Sequence, residues 1–186
     1  MTDPKPASVA DHEASHAVVW WWWWKSTPEG SDPGNGREIW WITIKPAKGK
    51  WGGFEPVGPP MYSNLTADDR LCLEHECATG LAGPLSDALR PEERPIHTTT
   101  DEQTVRSLAS QFFHSPEKES IFLEDLRPRV RSFLERPDVR VMVRGLSDAL
   151  LQHKTLGHHD AVEAMKAARA SFSEGREGPR PENERV

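Results

Sequence analysis

A chain of 186 residues with 36% hydrophobic residues holds one domain and a real core, with at most a tail besides. The formal net charge of −6 argues against nucleic acid or an anionic membrane surface as the main partner. No apolar run approaches the roughly 20 residues that span a bilayer, and residues 1–6 lack the basic-then-apolar order of a signal peptide. The chain therefore reads as cytoplasmic. Cys72 and Cys77, five apart on a predicted helix, point to different sides, so they are expected to stay reduced, in keeping with that compartment.

In chain order, Ser8 is a candidate N-cap for a helix over residues 9–24. Residues 25–37 are rich in Pro, Gly, Asp and Asn and read as a loop. Residues 38–44 are β-branched and aromatic and predict a strand. A turn over 47–50 leads to a second strand at Trp51, Gly52, Gly53 and Phe54, weakened by its glycines. Thr66 caps a helix that reaches about residue 89, with a break expected at Gly83 and Pro84. Thr98 or Thr99 can cap a third helix to about residue 114, and the rest is helical, punctuated by Pro116, Pro128 and Pro137. The expected class is α+β, predominantly helical: a first helix packed with a small sheet, followed by a helical bundle. Residues 1–172 form one domain in this reading, and residues 173–186 form a charged, disordered tail.

One motif carries chemistry. His12 and His16 in His12-Glu13-Ala14-Ser15-His16 stand four apart, so a helix puts both imidazoles on one face. Two such nitrogens can hold one Zn²⁺, with Glu13 beside the open coordination position. The metal would lower the pKa of its bound water towards about 7, and Glu13 would take the proton as a polarised carbonyl is attacked. The plain alternative is a helix that merely carries two histidines and a glutamate. Ala17, Val18 and Val19 weigh against it, because they take the motif into a core. A third protein ligand is needed, and Asp101, Glu74, Glu76 and His97 all compete for that place. By position alone Asp101 is a first-turn helix carboxylate.

From His12 to Val19 the chain is close to the HEAGHA block of the FtsH-type zinc metallopeptidases, with Ser15 where glycine is usual. Residues 39–54 resemble that family's strand pair. Residues 81–89 are similar to its small-residue helix, with Asp87 at an acidic position and Pro84 where arginine is common. Residues 100–106 resemble the segment that supplies the family's aspartate ligand, and residues 139–165 resemble its C-terminal helices. The resemblance implies one zinc ion per chain on His12, His16 and Asp101, and Glu13 as general base. The residues fit a free-standing endopeptidase, independent of ATP, because the chain carries neither the membrane anchor nor the ATPase module of the family's full-length members.

The expected substrate is an unfolded or flexible polypeptide, laid as an added strand along Trp51, Gly52, Gly53 and Phe54. A homo-oligomer or a separate ATPase partner is left open. A second reading is a catalytically silent relative that binds other proteins through the run Trp20–Trp24. Five successive helical residues cover the whole circumference, however, so these rings cannot share one face. The cluster of His153, His158, His159 and Asp160 reads as solvated surface.

Overall fold

The computed structural model describes residues 5–23, 39–46, 52–56, 67–90 and 98–174. The elements in order are α1 (Pro6–Trp22), β1 (Ile39–Thr43), β2 (Gly53–Pro56), α2 (Ala67–Ala88), α3 (Thr98–Phe113), α4 (Pro116–Glu135), α5 (Pro137–His153), β3 (Thr155–Gly157) and α6 (His158–Glu174). The class is α+β with helix dominant, as the sequence predicts.

Helix α1 is the centre of the molecule. Every residue from Ser8 to Trp20 except Asp11 is buried, which is the pattern of a helix enclosed on all sides. It packs against α2 on one flank and α5 on another, with β1 and β2 also in contact. Ser8 does not cap it. The helix begins three residues earlier than expected, at Pro6, whose fixed φ and missing N–H suit the first turn, and Ser8 is buried inside it.

The tryptophan run is folded into this interior. Trp20 and Trp23 are buried and Trp21 and Trp22 half-buried, while Trp24 lies outside the described residues. The Trp20 ring lies 4.5 Å from the His75 ring, and Trp23 meets Phe133 edge-on at 5.2 Å. Arg169 stacks over Trp22 at 4.1 Å.

Helix α2 passes through Gly83 and Pro84 without the expected break. Proline costs the helix one N–H bond to the residue four back, and the turn is held by packing: Leu81 and Ala82 are fully buried. Helix α4 contains Pro128 in the same way, and it is capped by Ser115, whose side chain accepts a hydrogen bond from the Lys118 amide. His114, with φ 48°, ends the stretch after α3.

The sheet has strand order β2-β1-β3. Both pairings are antiparallel: Thr43 faces Gly53 on one side and Thr155 on the other. The third strand lies where the sequence reads as helix. Lys154 makes it possible: in the left-handed conformation at φ 66° it closes α5 and accepts a hydrogen bond from the Ile44 amide at 2.9 Å. Helix α6 then folds back on α5, and Gly145 lets the two approach, since a Cβ there would lie 2.4 Å from the Ala168 Cβ. This helix runs through Ser173 and Glu174, two residues past the expected domain limit. No helix among the described residues is long and apolar enough to cross a membrane.

Candidate metal centre

Three helices converge on one point. Helix α1 brings His12, Glu13 and His16, and α3 brings Asp101 in its first turn. Helix α2 lies between them and contributes Thr79, Gly83 and Asp87. The Nε2 atoms of His12 and His16 are 3.1 Å apart. Asp101 Oδ2 lies 3.1 Å from His12 Nε2 and 3.8 Å from His16 Nε2. Among the described residues this is the one group of three or more such side chains with donors close enough to share an ion.

The far nitrogens of both rings are held. His12 Nδ1 donates to Asp87 Oδ2 at 2.9 Å, and His16 Nδ1 donates to the Thr79 carbonyl at 2.6 Å. With Nδ1 of each ring held in this way, Nε2 is the nitrogen turned towards the common point. Asp87 is in turn approached by Arg90 at 3.5 Å, and Arg90 also pairs with Asp11. Ser15 is buried, and its hydroxyl donates to the Asp11 carbonyl at 2.7 Å.

The donor set suits zinc. Two imidazoles and one carboxylate are common ligands of that ion. A tetrahedron with bonds of about 2.0 Å has edges of roughly 3.3 Å, close to the three donor separations above. Gly83 keeps one side open: a Cβ there would stand 2.4 Å from His16 Nε2 and 2.5 Å from His12 Nε2.

The electrostatics favour a protonated His12 beside an ionised Asp101. Burial works against the charged form of His12, but its hydrogen bonds to Asp101 and Asp87 outweigh it and push its pKa up to about 9. Burial likewise works against ionised Asp101, yet its bonds to His12 and His16 hold it well below the usual carboxylate range. Glu13 is buried and its pKa is raised, chiefly by loss of solvent.

The other candidates fall elsewhere. Glu74 is bound to Arg129 at 2.6 Å, and Glu76 is not part of the converging group. His97 lies outside the described residues. His153, His159 and Asp160 are exposed, and His158 is half-buried. Of the expected substrate strand, Trp51 is outside the described residues. Phe54 is paired with Ile42 in β2. Gly52 and Gly53 lie at the start of that strand, and a Cβ on Gly52 would come within 2.7 Å of Glu13 Oε1.

From sequence alone Thr79 and Arg90 have no assigned role, Asp87 stands out only as an acidic position of the resemblance, and Gly83 only as part of an expected helix break. The spacing of Gly83 and Asp87, one helical turn apart, is the signal that both face the histidines. Compared with protein-family models and with curated proteins, the sequence finds no significant match.

Proposed function

We propose that the chain is a zinc-dependent endopeptidase of the FtsH type that hydrolyses peptide bonds in unfolded or flexible polypeptides. The observation that carries this reading is the convergence of His12, His16 and Asp101 with Glu13 buried alongside. A binding module has no need of that glutamate.

His12, His16 and Asp101 would hold the ion, and Asp87 and the Thr79 carbonyl keep the two rings turned towards it. Bound there, zinc would acidify a water molecule and polarise the scissile carbonyl. Glu13, next in sequence to the first ligand, accepts a proton from the attacking water on its carboxylate. It then delivers that proton to the departing amine nitrogen.

Strand β2 pairs with β1 on one side, and its lead-in at Gly52 runs past Glu13. An extended peptide added to its other edge would gain main-chain hydrogen bonds indifferent to sequence. Nothing in such an arrangement unfolds a substrate, so the cleaved chain must arrive extended. The alternative of an interaction module built on the tryptophan run draws less support, because Trp20 and Trp23 are spent on the core.

The test measures zinc content and casein cleavage for the wild type and for Glu13→Gln. The variant should retain zinc and lose activity by about 10²-fold or more. Full activity in Glu13→Gln, or a wild-type protein that binds zinc and cleaves no unfolded substrate, would overturn the proposal.

A further inference from the structure

A concave site lies on the flank of α1 that carries Asp11 and Ser15. It is a cleft of about 770 Å³ where α1, the end of α2, the α4–α5 junction and α6 meet. That size is in the range of sites that enclose drug-sized ligands. Leu89, Leu134, Val141, Val143 and Phe172 give it an apolar lining, and Arg90, Arg140 and Arg144 give it charge.

The charges do not cancel. Asp11 and Glu135 also line the cleft, but each is engaged: Asp11 by Arg90, and Glu135 by Arg131 at 3.1 Å. Arg90 is spent in turn on Asp11 and Asp87. Arg140 and Arg144 remain. Among the described residues neither guanidinium has an ion pair or side-chain hydrogen bond. They stand four apart on α5, so both heads rise from the same face of the helix and can close on one anion. A guanidinium pair is well matched to the planar oxygens of a carboxylate or to a phosphate.

The geometry points to a binding site for an organic anion with an apolar body: a carboxylate or phosphate head held by Arg140 and Arg144, and a hydrocarbon portion against Leu134, Val141 and Phe172. This site adjoins the three-helix centre through Arg90 and Asp11 but does not depend on the activity proposed for it.

The experiment titrates the full-length protein with octanoate and with octyl phosphate, using octanol as the neutral control. EDTA is present, so that no head group can bind through a metal. Binding is read from methyl NMR shifts of Leu134, Val141 and Val143. Both anions should saturate these signals, with octanol at least about tenfold weaker. Preference between the two anions tells which head group the site favours. The double variant Arg140→Gln, Arg144→Gln replaces exposed side chains and should keep the fold while losing the anions' advantage over octanol. The inference fails if neither anion shifts these methyl groups, if octanol binds as tightly, or if the double variant binds the anions undiminished.

Discussion

The carboxylate of Asp87 accepts a hydrogen bond from His12 Nδ1 at 2.9 Å, across 75 residues of sequence. This bond leaves Nε2 as the ring nitrogen available for a ligand, and Arg90 steadies the carboxylate from behind.

If Asp87 orients a metal-binding ring, its loss should be felt as affinity. Asp87→Asn should weaken zinc binding by about 10- to 100-fold in competition with a chelator. Asp101→Ala should remove most of the metal, and Glu74→Ala, which takes away one of Arg129's two carboxylate partners, should change nothing. Zinc that survives Asp101→Ala but is stripped by Glu74→Ala would refute the ligand assignment.

Gly83 offers a sharper probe of where the ion sits. Alanine favours a helix over glycine by about 1 kcal/mol, so the local backbone does not resist Gly83→Ala. The new methyl would press on both Nε2 atoms. Zinc content should drop well below one per chain while circular dichroism still reports a folded helical protein. Stoichiometric zinc in that variant would place the ion elsewhere.

The metal-free protein should show a pH-dependent stability that traces to His12. Its ring titrates at 6.5 when unfolded and at about 9 when folded. Between these values the folded chain holds a proton that the unfolded chain has released. The contribution is therefore fully present below pH 6.5 and lost as pH rises through about 9. In EDTA, the urea midpoint should fall across that window, and Asp87→Asn should flatten the slope. A level midpoint in the wild type would show that His12 carries no extra proton.

The contact between α5 and α6 gives a test of the scaffold. Gly145→Ala would drive a methyl to 2.4 Å from the Ala168 Cβ, with the Ala164 carbonyl only 3.3 Å away. Helices forced apart in this way lose about 1–3 kcal/mol, measurable by denaturant unfolding. Ala168→Gly in the same chain should restore part of the loss. An unchanged midpoint in Gly145→Ala would mean that the helices are not so closely seated.

The sequence shows the first helix and its two histidines because both rest on short-range periodicity. The placing of Asp101 needed the resemblance, since its local setting is that of any first-turn carboxylate. Strand β3 was not legible: Thr155, Leu156 and Gly157 make too short a run to show alternation, and they are strand only because Thr43 lies opposite. Pro84 misleads in the other direction. A proline in α2 looks like a stop, but the buried contacts of Leu81 and Ala82 outweigh one lost backbone bond. The Asp87–Arg90–Asp11 linkage joins two helices far apart in the chain and has no local signature.

Every donor of the candidate metal centre has left the ribosome's active site once Asp101 is made. The helix that carries two of them, however, is walled in by α5, whose Met142, Leu146 and Leu150 are added some 40 to 50 residues later. Until then α1 has an apolar flank with nothing to cover it, and β1 lacks the partner strand that begins at Thr155. A nascent chain thus owns a full set of ligands before it owns the walls that hold them in place. The order of synthesis therefore completes the packing around the convergence of His12, His16 and Asp101 only after α5 and β3 have been added.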